Sequence, residues 1–210
     1  MKFLVIGATG RTGRLFTAQA LNEGHELTAL VRRPDADVDP RIRLVTGSVT
    51  DPVAIAEASQ DVDAIVSTLG VKSIKEAPTL MTDTIRAIIE STKTSGIRRV
   101  VIVSAFGVGD SLSKSSRIAS LLFRTMLKKK YADKAASEVL LRATDLDWTL
   151  EYPGALNNGT KPSYKAVALD DVTKLPFVPS TSRTNVARFL LHTAVEGTYV
   201  RKVAVVTDAK

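Results

Sequence analysis

The stretch Lys2-Phe3-Leu4-Val5-Ile6-Gly7-Ala8-Thr9-Gly10-Arg11-Thr12-Gly13 decides the fold. Phe3 to Ile6 form an apolar run without polar alternation, which suits a strand buried on both faces of a parallel sheet. Three glycines follow at a spacing of three, and a helical pattern opens near Arg11. A buried strand, a glycine turn and a helix together make the geometry that grips a diphosphate. Gly7 permits the tight turn, Gly10 lets backbone N–H groups approach phosphate oxygens, and Gly13 lets the helix pack close to the sheet. The free N–H groups and the positive end of the helix dipole then stabilise the anion. A plain glycine-rich turn is the competing reading; the position between buried strand and helix favours a dinucleotide.

The second apolar run, Leu27 to Val31, ends in Arg32-Arg33-Pro34. An acidic side chain at this point usually holds the ribose hydroxyls of a cofactor that lacks a 2′-phosphate. Here the acids Asp35, Asp37 and Asp39 come only after the proline. A guanidinium matches a phosphate bidentately, so NADP(H) is expected over NAD, with two arginines merely ending a strand at the surface as the alternative.

Further along, strands are expected at Ile42–Val45, Asp63–Gly70 (running into a small-residue loop), Val100–Val103, Leu146–Leu150 and Val203–Thr207, with a short one at Tyr164–Leu169. Helices are expected after Asp51-Pro52, over Pro78–Thr94 with Met81, Ile85, Ile88 and Ile89 on its core face, and over Ser182–Val195. A longer one should run from about Ser116 to Arg142, with Ile118, Leu121, Leu122, Thr125 and Met126 on one face and a break or bend at Lys128 to Tyr131. Gly107 to Lys114 is small and polar and reads as a mobile loop, and Asn157 to Pro179 is loop-rich. Strands alternating with helices predict an α/β fold, a doubly wound, mainly parallel sheet. One domain over residues 1–210 is expected, with residues about 107–130 and 155–181 as a small substrate-side lobe.

Composition narrows the function. The chain has 210 residues, 44% hydrophobic and 24% charged, which is ordinary for a globular domain. It has no cysteine, which excludes disulfides and thiolate chemistry. His25 and His192 are its only histidines and stand in no metal-ligand spacing, so no metal site is expected. No run approaches the roughly 20 apolar residues of a membrane span. No signal peptide is read, and a cytoplasmic location is expected. The net charge of +7 is scattered apart from Lys128-Lys129-Lys130, with no nucleic-acid motif. It suits a small anionic ligand equally well. No nucleic-acid or membrane partner is expected, and the oligomeric state, monomer or dimer, stays open.

Taken together, the chain resembles the atypical short-chain dehydrogenase/reductases, a Rossmann-fold superfamily. The resemblance rests on Gly7-Ala8-Thr9-Gly10-Arg11-Thr12-Gly13, Val31-Arg32-Arg33-Pro34, Ser67-Thr68-Leu69-Gly70, Val103-Ser104-Ala105-Phe106-Gly107 and Tyr152-Pro153-Gly154. Leu146-Asp147-Trp148-Thr149 and Ser182-Arg183-Thr184-Asn185-Val186-Ala187 also fit it. The flavin reductase/biliverdin reductase B branch is most similar, with the NmrA-like oxidoreductases as near neighbours. The resemblance implies that Gly7, Thr9, Gly10, Arg11, Thr12 and Gly13 wrap the pyrophosphate and 2′-phosphate side, with Arg32 on the 2′-phosphate. It also implies Leu69 and Gly70 beside the cofactor, Ser104 near the nicotinamide, and Pro153, Gly154, Ala155 and Leu156 lining its pocket. Three positions depart from the pattern: Ser48 and Asn185 stand where many relatives have Asp, and Tyr152 where they commonly have Arg.

The catalytic acid is the weakest part of the pattern. The superfamily's tyrosine and lysine are spaced Y-x-x-x-K, so that the lysine lowers the tyrosine pKa. Here Tyr131-Ala132-Asp133-Lys134 is one residue short, although both side chains can share a helix face. Glu138, four residues after Lys134, reads equally as part of a solvated, salt-bridged face. Catalytic candidates are therefore Ser104, Lys134 and Tyr131. Weak acid machinery favours an acceptor that delocalises the incoming charge, such as a flavin, quinone or tetrapyrrole. An NADPH-dependent reductase of such a small molecule is the expected function; a nucleotide-binding sensor of the NmrA-like type, without turnover, is the alternative.

Overall fold

The computed structural model describes residues 1–70, 77–114, 128–173 and 180–209. Strand β1 (Lys2–Ile6) lies in the middle of an eight-stranded sheet. On one side it pairs in parallel with β2 (Glu26–Val31), which pairs with β3 (Arg43–Thr46). On the other side follow β4 (Ala64–Ser67), β5 (Arg99–Val103), β6 (Asp147–Pro153) and β10 (Lys202–Asp208), all parallel. The antiparallel β8 (Tyr164–Ala168) closes that edge. Short strands β7 (Ala155–Asn157) and β9 (Ser180–Ser182) form a separate ribbon. The strand order 3-2-1-4-5-6 reverses direction at β1. Ligands of open α/β sheets bind at that switch point, outside the carboxyl ends of the strands.

Both faces of the sheet are covered, which explains the unbroken apolar run of β1. Phe3 and Val5 pack with Phe16, Val66, Val101, Leu190 and Leu191 beneath α1 (Arg11–Asn22) and α5 (Arg183–Glu196). Leu4 and Ile6 point the other way, into a core with Ile55, Ile88, Ile102, Leu141 and Tyr152. That core lies beneath α2 (Pro52–Ala58), α3 (Leu80–Ser95) and α4 (Lys128–Arg142). Asp51 caps α2 by accepting from Val53 N at 2.9 Å, and Pro52 opens the helix. The cap of α3 comes from a different element. Buried Asp133 of α4 accepts from Met81 N at 2.9 Å, Thr82 N at 3.0 Å and Thr82 Oγ1 at 2.6 Å. This carboxylate meets the orphan N–H groups of α3 and fixes where α4 stands.

Two expectations change. First, β6 continues past Leu150 to Pro153, because Ser104 N donates to Glu151 O at 2.8 Å and Phe106 N to Pro153 O at 3.2 Å. Second, the stretch read as a mobile loop contains a 3₁₀ helix over Gly109–Lys114. Its fully buried Ser111 accepts from Gly107 N at 2.8 Å and donates to Val108 O at 2.6 Å. A third expectation is not tested: Lys128 to Tyr131, where a break or bend was expected, lie in the first described turn of α4, and the residues before them lie outside the described residues. The residues Ile118, Leu121, Leu122, Thr125 and Met126 lie outside the described residues. Among the described residues, no helix is long and apolar enough to cross a membrane.

One buried group stands out energetically. Glu151 is fully buried on β6 between Val103 of β5 and Ala204 of β10, and neither carboxyl oxygen has a hydrogen-bond partner among the described residues. Burial pushes its carboxyl well above the ordinary range. Above the ordinary carboxylate pKa the unfolded chain releases this proton while the folded chain keeps it, so stability from this group falls as pH rises. Glu151→Leu should therefore stabilise the fold by about 1–3 kcal/mol, the cost of an unsatisfied buried polar group. The gain should be larger at pH 8 than at pH 5 in urea titrations, and a gain independent of pH would disprove the assignment.

Candidate dinucleotide site and carboxyl-edge cluster

The glycine turn closes between β1 and α1. Gly7 has φ +88°, and its carbonyl accepts from Gly10 N at 2.9 Å and Thr68 Oγ1 at 3.1 Å. A side chain at Gly13 would put its Cβ 2.1 Å from Gly7 O, so α1 reaches this close to the strand only without one. At Gly10, with φ −74°, a Cβ would stand 3.2 Å from the same oxygen, a tight but open position. No side chain caps α1, and its first turn contains no acid. Its leading N–H groups face the carboxyl edge of the sheet, ready for an anion. This arrangement fits the diphosphate of a dinucleotide.

Two arginines beside the turn are uncommitted. Arg14 donates to Asp37 Oδ2 at 2.9 Å and Arg33 stands 3.6 Å from Asp35. Arg11, opening α1, and Arg32, just past β2, are exposed and have no ion-pair partner among the described residues. The acids after Pro34 thus engage the neighbours and leave these two free.

The other expected positions follow the carboxyl ends of neighbouring strands. Leu69 and Gly70 follow β4, where Thr68 Oγ1 ties the chain to β1. Ser104 follows β5. Pro153 ends β6, Gly154 N donates to Thr181 Oγ1 at 2.9 Å, and Ala155 and Leu156 of β7 are exposed. The fold therefore gathers every expected cofactor position along one edge. A basin of about 510 Å³ at the opposite edge, lined by Lys2, His25, Arg41, Arg43 and Asp61, is remote from this chemistry.

Below the end of β5 lies a cluster on the α4 side. Lys134 Nζ donates to Val103 O at 3.2 Å, and its other N–H groups have no acceptor among the described residues. Burial pulls this ammonium down to about 8, against the opposing pull of Glu138 and Asp133. Tyr131 Oη donates to Phe106 O at 3.3 Å, and burial raises its pKa. Glu138, expected on a solvated face, is instead buried. Its Oε1 accepts from Ser104 Oγ and its Oε2 from Tyr152 Oη. Arg142 Nη2 stands 3.6 Å from Oε2 and donates to Tyr152 Oη at 3.4 Å. Sequence reasoning missed Glu138, and the signal was there: Tyr152, in place of a common arginine, is the hydroxyl that meets it.

The glycine geometry predicts two different phenotypes. Gly13→Ala should destabilise the fold by about 1–3 kcal/mol or more, because helix and strand must part. Gly10→Val should fold, yet lose dinucleotide binding, because its side chain occupies the approach to the N–H groups. Denaturant midpoints and cofactor titration separate the two; a Gly10→Val protein that binds normally would remove the dinucleotide from this turn.

The comparisons agree with this geometry. The YhfK protein of Bacillus subtilis, called an uncharacterized sugar epimerase, is 30% identical over 194 residues, covering 83% of this chain and 85% of its own. The oxidoreductase YlbE of Lactococcus lactis superposes with a TM-score of 0.82 at 19% identity, over 100% of this chain and 92% of its own. ChuY, an anaerobillin reductase of Escherichia coli O157:H7, superposes with a TM-score of 0.80 at 22% identity, over 100% and 98% of the two chains. These likenesses establish a Rossmann-type fold. The sequence pattern of the NAD(P)H-binding family matches residues 7–196, and the chain belongs to that family.

Proposed function

We propose that the protein is an NADPH-dependent reductase of a planar, conjugated small molecule. The observation that carries this reading is the pair of guanidinium groups, Arg11 and Arg32, that have no ion-pair partner among the described residues and stand beside the uncapped amino terminus of α1. In this reading the N–H groups from Thr9 to Gly13 hold the diphosphate, and Arg32, helped by Arg11, holds the 2′-phosphate. Leu69, Gly70 and Pro153 to Leu156 flank the rest of the cofactor. The bound dihydronicotinamide supplies hydride chemistry.

Of the three catalytic candidates, Lys134 is the best proton donor. Its ammonium has N–H groups to spare at the end of β5, and it sheds a proton near neutral pH. Ser104 gives its proton to Glu138 and Tyr131 directs its own at Phe106 O. Neither arrangement supplies a tyrosinate-type acid for an isolated ketone, which favours an acceptor that spreads the charge. The substrate-side lobe in this reading takes residues about 107–130 and 155–181, and its described parts are joined by Lys114 Nζ, which donates to Leu169 O at 2.7 Å and Val172 O at 2.8 Å. The names of two structural neighbours, an oxidoreductase and an anaerobillin reductase, are in keeping with such an activity.

NADPH oxidation with FMN, dichlorophenolindophenol and menadione tests the reading. Tight NADPH binding without turnover of any acceptor would favour a sensor instead. Arg32→Ala should weaken NADPH by about 1.5–3 kcal/mol, the worth of a charged hydrogen bond, and leave NADH nearly unchanged. Equal losses for the two cofactors would make Arg32 structural.

Lys134 also sets a pH limb. Turnover should fall as pH rises through about 8, where the ammonium loses its proton. Lys134→Met should flatten that limb and lower kcat by less than about 100-fold, the lower bound for general acid catalysis. A limb that survives in the variant would move the proton donor elsewhere.

A further inference from the structure

Hydroxyl protons in the cluster can be counted. Ser104 has one O–H, and it goes to Glu138 Oε1. Tyr152, fully buried, gives its one O–H to Oε2 and receives Arg142 Nη2 at 3.4 Å. With Glu138 ionised, Ser104 can offer only lone pairs to anything that arrives at the carboxyl edge. With Glu138 protonated, the carboxyl's own O–H must go to one of the two hydroxyl oxygens. Turning it on Tyr152 would strand the tyrosine proton inside the core. Turning it on Ser104 frees the serine proton to point outward.

We propose that Glu138 is the specificity-determining residue of this site, acting through Ser104. Ionised, it makes Ser104 a hydrogen-bond acceptor for ligands that present an N–H or O–H there. Protonated, it makes Ser104 a donor for ligands that present a carbonyl, such as a quinone. The choice of ligand rests on the reductase reading above; the coupling between Glu138 and Ser104 does not.

The surroundings allow such a change of state. Lys134 and Arg142 of α4 are the charged groups that act on Glu138, with the Tyr152 hydroxyl from β6 and the Ser104 hydroxyl after β5. Among the described residues, α3 lines the space beside Glu138 with Met81 and Ile85, and Ile102, Val103, Leu141 and Leu150 add the rest of its apolar lining. A Cβ at Gly109 of the 3₁₀ helix would stand 3.8 Å from Oε2, so backbone closes the remaining side. Burial raises the carboxyl, and Ser104, Tyr152, Arg142 and Lys134 in turn oppose that rise. Both protonation states therefore have contacts that favour them, the apolar walls for the acid and two hydroxyls with two cations for the carboxylate.

The coupling is measurable without ligand. Infrared titration of the carboxylic acid C=O stretch, in a Glu151→Gln background that removes the unpartnered buried carboxyl of β6, should show a band that Glu138→Gln abolishes while the capping Asp133 stays in place. Its midpoint should rise by about one to two pH units in Ser104→Ala, because the carboxylate loses a charged hydrogen bond. Ser104→Thr should restore it. The second arm is calorimetry of menadione binding to the NADP⁺ complex, where no hydride is available, in buffers of different ionisation enthalpy. Menadione should draw a proton onto the wild-type protein, and no such uptake should accompany binding to Glu138→Gln or Ser104→Ala. An unmoved infrared midpoint in Ser104→Ala, or equal proton uptake in all three proteins, would overturn the proposal. Failure of menadione to bind beside a shifted midpoint would count against the acceptor reading and support the coupling.

Discussion

A helix whose first turn has no side-chain cap must find partners for its leading N–H groups elsewhere. In this protein that constraint is tied to a second one, the contact of α1 with the strand it follows. Gly13 lies so close to Gly7 O that any side chain would collide, and Gly7 adopts a left-handed φ to turn the chain there. The sequence accepts the conformational cost of three glycines and leaves the helix end bare. Burial of Phe3, Val5, Phe16 and Ala20 on the α1 face holds the turn in place. The arrangement suits an anionic ligand, in keeping with the NAD(P)H-binding family to which the chain belongs.

The second half of the site depends on a different tie. Asp133 meets the amino terminus of α3 from α4, so the two helices share one capping carboxylate. That tie sets the position of Lys134 and, one turn later, Glu138 relative to the ends of β5 and β6. The extension of β6 to Pro153 brings Tyr152 against Glu138 on the same face. Neither contact is local in sequence. The cofactor half is built from consecutive residues and strand ends, whereas the acid half is assembled by packing.

This difference explains what could be read in advance. The parallel sheet was legible because Phe3 to Ile6, Ala64 to Val66 and Val100 to Val103 are apolar on both faces, a period with few alternatives. The glycine turn was legible because its geometry depends on neighbours along the chain. Glu138 was not, because a Lys–Glu pair at a spacing of four looks the same on a solvated face as on a buried one. What buried it was the register between α4 and the sheet, set by Asp133. The Gly109–Lys114 turn escaped for a similar reason: small polar residues read as a loop, yet Ser111 satisfies the backbone internally and lets the segment pack. Strand β6 was cut short because Glu151 breaks its apolar run.

Glu138 and Glu151 show how location separates two buried carboxyls. They lie on opposite faces of the sheet, near the same stretch of β6. Glu138 has two hydroxyl donors and two cations acting on it, and these oppose the rise that burial causes. Glu151 has no hydrogen-bond partner among the described residues, and burial alone acts on its carboxyl. Ionising it would place an uncompensated charge in an apolar layer, so it stays a neutral acid while the protein stays folded. The sheet between them screens one layer from the other's hydrogen bonds. Two buried carboxyls beside the same strand thus meet opposite surroundings because each face of the sheet has its own polar inventory.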